Sequence, residues 1–189
     1  MYNSDMIKLN ALQLRTGDHQ IDKTEIPRNE IYIILDNVLD TYNIGSVFRL
    51  ADAVGAKKIL LCAGSETPPN HRIKKASINT TEIVEWEYFA STLEAISSLR
   101  KQVPEIKIVA VELAENSIPY TEYKYQLPVA LLVGHESFGV SNEVMKACDA
   151  VVELPMYGVN ISLNVMVSLA IALYEVLRQT SLPPTIKTY

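Results

Sequence analysis

The sequence has little of what several protein classes require. Its 189 residues include two cysteines, Cys62 and Cys148, which are too few for a disulfide framework. Both stand among apolar residues, so we expect a reducing, cytoplasmic compartment. No apolar stretch follows a basic start at the N-terminus, and polar residues interrupt the longest apolar run, residues 163–177. We therefore expect neither a signal peptide nor a membrane span. The glycine pattern GxGxxG is also missing, which argues against an ordinary dinucleotide site.

Negative charge is in excess, with a formal net charge of −5 and a pI of about 5.2. An acidic protein is a weak candidate for nucleic-acid binding, because RNA usually meets a basic surface. However, residues 67–81 contain no acidic side chain but include Arg72, Lys74 and Lys75. This distribution is consistent either with a local basic surface or with a solvated loop.

The hydrophobic pattern predicts an α/β fold. Compact apolar runs predict buried strands at residues 31–35, 58–62, 106–113 and 128–133. Helical spacing of apolar residues predicts helices at residues 44–54, 91–101, 140–148 and 161–179. Strands that alternate with helices favour a mostly parallel sheet flanked by helices. We expect one domain over residues 31–180, with a short N-terminal extension, residues 1–30, and a C-terminal tail, residues 181–189.

Polar residues follow the first predicted strand, at the edge where parallel sheets bind their ligands. Asn43 and Arg49 bracket the first turns of a helix, a place that suits an anion. The simpler alternative makes Asn43 a helix cap and Arg49 an ion-pair partner of Asp52. Gly45 inside this helix costs about 1 kcal/mol relative to alanine, which indicates a close backbone approach there.

Two further polar segments follow later strands. In residues 134–139 an apolar strand runs directly into two glycines and Glu136, which suits a loop that wraps a ligand. A tight turn with a solvent-facing Glu136 is equally consistent. In residues 154–164 a proline and glycine loop leads into an apolar helix, with Ser162 and Asn164 in the predicted first turn. Ser162 could be a cap, whereas a buried Asn164 amide would need hydrogen-bond partners.

In this order, the three segments resemble the three motifs of the SpoU-type RNA 2′-O-ribose methyltransferases of the SPOUT superfamily. The pattern is Asn43 with Arg49, then the glycines and Glu136 of residues 134–139, then LPM and SLN in residues 154–164. The resemblance covers residues 31–179. It implies S-adenosylmethionine-dependent methylation of a ribose 2′-hydroxyl in RNA, a homodimer and a deep C-terminal trefoil knot. True knots are rare in proteins, so the knot is expected from the resemblance alone.

Carried over by position, the resemblance implies three sets of site residues. The catalytic set, partly across the dimer interface, is Asn43, Arg49, Glu136, Ser162 and Asn164. The cofactor-binding set is Val111, Glu112, Leu113, Gly134, His135, Glu136, Leu154, Met156, Ser162 and Leu163. The RNA-binding set is Arg49, Arg72, Lys74 and Lys75. The histidines and cysteines lack metal-ligand spacing, so we expect no metal site. An arginine normally stays protonated, so we expect Arg49 to bind phosphate and stabilise negative charge on oxygen.

Several alternatives remain open from the sequence. Residues 1–30 are too short for the separate RNA-binding domain of some family members, and this compactness favours tRNA over ribosomal RNA. A SPOUT enzyme that methylates a base nitrogen is less favoured because of Arg49 and the Ser162–Asn164 segment. A noncatalytic RNA-binding relative would have little reason to hold Arg49, Glu136 and Asn164 together. A nucleotide-binding oxidoreductase is disfavoured by the missing glycine pattern.

Overall fold

The computed structural model describes residues 10–16 and 26–180 of the chain. The strands are β1 (Asn29–Asp36), β2 (Ala56–Cys62), β3 (Glu85–Phe89), β4 (Lys107–Val111), β5 (Ile118–Pro119), β6 (Val129–Val133) and β7 (Ala150–Glu153). The helices are α1 (Ala11–Thr16), α2 (Thr41–Ala53), α3 (His71–Ser77), α4 (Thr92–Gln102), α5 (Asn142–Ala147) and α6 (Val165–Gln179). A single 3₁₀ turn, Thr80–Glu82, precedes β3.

The seven strands form one parallel sheet in the order β3-β2-β1-β6-β4-β7-β5. The central strand β6 is buried along its whole length, and six consecutive residues of β1 are buried. Parallel strands that helices cover on both faces read as continuous apolar runs, which is why these two strands show so clearly in the sequence. The predicted parallel α/β sheet is therefore present.

The alternation of side chains along β1 divides the core into two layers. Ile31, Ile33 and Leu35 face the layer that contains the buried residues of α2, α3 and α6. Tyr32 and Ile34 face the opposite layer, which contains those of α4 and α5. Both layers are well filled because successive strand residues point to opposite faces of the sheet. The core thus lies on both sides of the central strands and leaves their carboxyl ends free for a site.

Element boundaries differ from the predictions where side chains cap the backbone. Asp40, and not Asn43, is the N-cap of α2, since its carboxylate accepts a hydrogen bond from the Tyr42 N–H. Asn164, and not Ser162, is the N-cap of α6, so this helix begins at residue 165 instead of 161. Short polar side chains cap a helix by accepting such orphan N–H groups.

The basic stretch of residues 67–81 was predicted as a loop or a basic surface, and it contains a helix. Helix α3 begins after Asn70, whose side-chain oxygen accepts hydrogen bonds from the N–H groups of Arg72 and Ile73. It packs on α2 at Gly45, where an added Cβ would lie 2.7 Å from the Ile73 carbonyl oxygen. The close backbone approach expected at Gly45 is therefore the contact with α3.

The ends of the chain lie partly beyond this description. Residues 1–9 and 17–25 of the expected N-terminal extension, and the expected tail at residues 181–189, lie outside the described residues. The division into extension, domain and tail stays a prediction.

Candidate active site

The carboxyl ends of β1, β6 and β4 meet at one edge of the sheet. From β1 the chain moves outward through β2 and β3, and β4 is then placed on the other side of β6. Such a reversal of strand order opens a crevice between the loops of neighbouring strands, and ligands of parallel sheets bind there. Glu136 and Glu112 lie in the loops that follow β6 and β4, and Asn43 lies in the first turn of α2, the helix that follows β1.

Three distant residues form a continuous chain of hydrogen bonds at this edge. Asn43 donates from Nδ2 to Glu136 Oε1 at 3.1 Å and accepts from Asn164 Nδ2 at its Oδ1 at 3.0 Å. Asn43 is buried with 8% of its surface exposed, so its amide needs both partners. An amide side chain can fill both roles, because its nitrogen donates to the carboxylate while its oxygen accepts from the second amide. The three polar segments of the sequence therefore meet in one cluster, Glu136–Asn43–Asn164.

Glu136 also fixes the loop that follows β1. Its carboxylate accepts hydrogen bonds from the backbone N–H groups of Leu39 at 3.2 Å and Asp40 at 3.0 Å. Burial acts to raise the pKa of Glu136, but the hydrogen bonds from Asp40, Asn43 and Leu39 outweigh it, so the pKa is lowered from its ordinary value. Glu136 is therefore an anion at neutral pH, and although its side chain is exposed, its carboxylate is hydrogen-bonded to the chain that follows β1.

A cleft of about 370 Å³ lies beside the cluster. Its size falls in the range of small-molecule pockets, and apolar side chains such as Phe138 and Ile161 contribute to its wall. All ten residues of the expected cofactor-binding set line this cleft: Val111, Glu112, Leu113, Gly134, His135, Glu136, Leu154, Met156, Ser162 and Leu163. The structure thus gathers them around one space, to which the ends of β4, β6 and β7 all contribute.

The loop of residues 134–139 is folded back on itself next to Glu112. His135 and Gly139 exchange two backbone hydrogen bonds, of 3.2 and 2.8 Å. Gly139 has φ +64°, and a Cβ at this position would overlap the Glu112 carboxylate. That carboxylate accepts hydrogen bonds from the N–H of Val140 at 2.8 Å and of Leu113 at 3.0 Å. Glu112 therefore clamps the two loops that form the wall of the cleft, a role that its place in the sequence did not indicate.

Arg49 and Ser162 are not part of the hydrogen-bonded cluster. Arg49 is exposed on α2, and among the described residues it makes no ion pair; the expected partner Asp52 contacts Arg28 at 3.4 Å instead. Ser162 lines the cleft, where its backbone N–H donates to Asn160 Oδ1 at 3.3 Å. Ser162 is therefore available to a molecule bound in the cleft, whereas Arg49 is exposed on α2 and does not line the cleft.

The remaining expected RNA-binding residues lie on α3. Arg72, Lys74 and Lys75 are exposed, and within residues 10–16 and 26–180 none of them makes an ion pair. The sequence left a basic surface and a solvated loop open and did not predict this helix, because seven residues are too few to show a helical period. The Asn70 cap was the available signal for this helix.

Two further features concern metals and membranes. Among the described residues there is no cluster of three or more His, Cys, Asp or Glu side chains that could hold a metal ion. In the same part of the chain, no helix has both the length and the apolar character that crossing a bilayer requires. The absence of a metal site stays a prediction.

Comparison with known proteins identifies the family of the chain. The model of the SpoU rRNA Methylase family matches residues 30–174. The chain belongs to this family. The match contains all three motif segments and every residue of the catalytic set, so the resemblance seen in the sequence is confirmed as membership of the SpoU family.

Individual SpoU relatives agree with this assignment. The chain is 29% identical over 178 residues to the 23S rRNA (guanosine-2′-O-)-methyltransferase RlmB of Ralstonia nicotianae. This alignment covers 94% of this chain and 70% of the relative. It is 32% identical over 160 residues to the tRNA (guanosine(18)-2′-O)-methyltransferase of Aquifex aeolicus. This alignment covers 80% of this chain and 71% of the relative.

A solved SpoU structure contains the cofactor. The AviRb methyltransferase of Streptomyces viridochromogenes in complex with AdoMet superimposes with a TM-score of 0.72 at 26% identity, and covers 84% of this chain and 64% of that chain. The parallel sheet with flanking helices thus matches the fold of SpoU methyltransferases. The predicted enzyme class, an RNA methyltransferase, and the predicted cofactor, S-adenosylmethionine, are confirmed. The homodimer and the trefoil knot stay predictions.

The residues around the cleft fit this cofactor. Apolar walls suit an adenine ring, and the carboxylates of Glu112 and Glu136 at the rim suit a ligand that carries positive charge on its sulfur and amino group. The glycines of residues 134–139 let the loop that lines the cleft fold back closely on itself, since a Cβ at Gly134 would overlap the Gly139 backbone.

Proposed function

We propose that this SpoU protein methylates a ribose 2′-hydroxyl of RNA, with tRNA favoured over ribosomal RNA, in the cytoplasm. The observation that carries the proposal is the Glu136–Asn43–Asn164 chain at the mouth of the cofactor cleft. Ribose 2′-O-methylation is the activity in the names of both curated relatives, of which one acts on 23S rRNA and the other on tRNA.

S-adenosylmethionine, when bound, supplies a methyl group on a positively charged sulfur. The residues of this chain must bring a ribose hydroxyl into line with that methyl group and help its proton to leave. The cluster is suited to orientation: Glu136 is held as an anion, and the buried Asn43 amide joins it to the N-cap of α6. Ser162, on the cleft wall beside the cluster, is placed to hydrogen-bond the ribose.

Arg49 is assigned a separate role, as the group that binds the adjoining phosphate and stabilises negative charge on the reacting oxygen. A guanidinium is suited to phosphate because it offers paired N–H donors and keeps its charge. Arg49 is exposed and without an ion pair among the described residues, so it can accept a phosphate without losing another partner. Arg72, Lys74 and Lys75 on α3 extend the positive surface for the same RNA strand.

A homodimer is part of the proposal, and an exposed apolar surface supports it. Val159, Ile161, Val167 and Tyr174 expose 102%, 77%, 38% and 55% of their surfaces. Val167 and Tyr174 are two helical turns apart on α6 and share one face. Apolar side chains grouped in this way mark a protein contact. A second copy of the chain, joined here, would complete the catalytic set across the interface, as the resemblance implies. The C-terminal trefoil knot within each chain is a separate part of the proposal.

The test is transfer of labelled methyl groups from S-adenosylmethionine to unmodified total tRNA and rRNA, followed by nucleoside analysis. We expect a 2′-O-methylated nucleoside, chiefly from tRNA. Arg49→Ala is expected to lose transfer while it keeps cofactor binding, and Lys101→Ala, an exposed cation on α4, serves as the matched control. A base-methylated product, or full transfer by Arg49→Ala, would contradict the proposal. No transfer by the wild type with intact cofactor binding would point to a missing substrate or partner. The absence of cofactor binding as well would favour a noncatalytic RNA-binding protein.

A further inference from the structure

A second cavity, of about 520 Å³, lies at the same edge of the sheet. Its wall consists of residues 39–42, which follow β1, and of residues 66 and 70–72, which follow β2; we name it the loop cavity. The Leu39 and Asp40 N–H groups in its wall are the ones that hydrogen-bond to Glu136. The loop cavity and the candidate active site therefore share one stretch of backbone and lie side by side.

The loop cavity is lined by carboxylates, a cation and an aromatic ring, together with Leu39, Thr41, Asn70 and His71. Asp40 and Glu66 are carboxylates, Arg72 is a cation, and Tyr42 is an aromatic ring that is 51% exposed. One oxygen of Asp40 caps the Tyr42 N–H at 2.7 Å, which leaves the other free to accept. Among the described residues neither carboxylate forms an ion pair with Arg72 or any other cation. These groups are thus available to a ligand.

The mixture of charges in the loop cavity restricts which kinds of ligand can bind there. A phosphate alone would be repelled by Asp40 and Glu66, and a metal ion would be repelled by Arg72. A nucleobase suits all three groups, because its flat face stacks on an aromatic ring and its edge carries N–H donors for carboxylates. Guanine presents N1–H and N2–H side by side, whereas uracil presents one N–H between two carbonyl oxygens that a carboxylate repels. The phosphate attached to that nucleotide can then meet Arg72.

We propose that the loop cavity binds a guanine base of the substrate RNA next to the methylated ribose, with Tyr42 stacked on the base, Asp40 and Glu66 on its N–H edge, and Arg72 on its phosphate. This inference rests on the proposed function, since it takes the neighbouring cluster to be the site of ribose methylation. It explains why carboxylates stand in a region of the surface where the other exposed charges, Lys74 and Lys75, are positive.

The experiment measures binding of two fluorescein-labelled RNA pentamers, UUGUU and UUUUU, by fluorescence anisotropy. The full chain is first loaded with S-adenosylhomocysteine, and the Kd of this product is measured for every variant. The wild type is expected to bind UUGUU about tenfold more tightly, within the range for one paired base contact. Asp40→Asn with Glu66→Gln should abolish this preference, while asparagine keeps the cap of α2.

Two further variants separate the roles. Tyr42→Ala should weaken binding of both pentamers about tenfold, because stacking does not depend on the base. Arg72→Ala should also weaken both, and it should lower the slope of log Kd against log salt by about one. Lys101→Ala on α4, which covers the other face of the sheet, should change neither value.

The result that overturns the inference is the absence of a guanine preference in the wild type, whether both pentamers bind or neither does. A preference that survives the double carboxylate change would also overturn it. Loss of S-adenosylhomocysteine binding by the wild type, or no ribose methylation of any RNA, would instead overturn the proposed function. The two failures are therefore distinguishable in the same set of proteins.

Discussion

The amide of Asn43 holds the candidate site together, and the isosteric change Asn43→Asp tests this. The new carboxyl would lose the hydrogen bond that Nδ2 donates to Glu136 at 3.1 Å. A hydrogen bond to a charged group contributes about 1.5–3 kcal/mol. Two carboxylates at this separation would also repel each other, by about 5 kcal/mol at an effective dielectric constant of 20 and by about 1–2 kcal/mol after discounting for the exposure of Glu136. We expect a loss of about 3 kcal/mol in the free energy of unfolding at pH 8.

The loss in the free energy of unfolding caused by Asn43→Asp should be larger at high pH than at low pH. Two carboxyl groups at this distance share one proton, so the pKa of the pair in the folded variant lies above its value in the unfolded chain. A raised folded pKa contributes stability at low pH that disappears as the pH rises through it. The deficit of Asn43→Asp should therefore shrink between pH 8 and pH 5. In the wild type the pKa of Glu136 is lowered, so its hydrogen bonds persist over this range and are lost only at lower pH.

Thermal unfolding followed by circular dichroism at pH 5 and pH 8 measures both effects. At about 2–4 °C per kcal/mol for a domain of this size, we expect Tm to fall by about 10 °C at pH 8 and by about half as much at pH 5. Asn43→Ala should lose about 2 kcal/mol at both pH values, because it removes the hydrogen bonds without adding a charge. Asn142→Asp, which adds the same charge at an exposed position of α5, controls for net charge. Equal deficits of Asn43→Asp at both pH values would refute the hydrogen bond from Asn43 to Glu136.

Three other changes test the cleft, the core and the assembly. Gly139→Ala should raise the Kd for S-adenosylhomocysteine at least tenfold in calorimetry, because φ is +64° and the Cβ would overlap the Glu112 carboxylate. Gly158→Ala is the control, since a Cβ there meets open space. Equal affinities of the two variants would contradict the role of Glu112 as a clamp. Gly45→Ala should lower the free energy of unfolding in urea by about 1–3 kcal/mol, since its Cβ would press on the α3 backbone. An unchanged urea midpoint would show that α3 moves away without loss of stability. Tyr174→Glu should convert the proposed dimer to monomer in sedimentation and reduce methyl transfer, and a persistent dimer would exclude this face of α6.

Much of the fold follows from local sequence, for a physical reason. The strands β1 and β6 are buried on both faces, so each reads as a continuous apolar run of strand length. Helix α3 could not be recognised, because its seven residues are too few to show a period and it is stabilised by packing on Gly45. The predicted starts of α2 and α6 differ from the observed ones because several possible capping residues stand close together before each helix. The preceding turn decides which of these side chains caps the helix, and the sequence does not show that turn.

The sequence by itself determined which chemistry this protein can carry. The types and order of Asn43, Arg49, Glu136 and Asn164, with the glycines between them, were enough to indicate the SpoU family, and the family match agrees. The tertiary structure alone decided which of these residues touch. Asn43 meets Glu136 and Asn164 across 93 and 121 residues of sequence, whereas Arg49, only six residues away on the same helix, makes no hydrogen bond with them. The reason is that a parallel sheet brings the carboxyl ends of sequence-distant strands to one edge, while a helix turns neighbouring side chains to different sides.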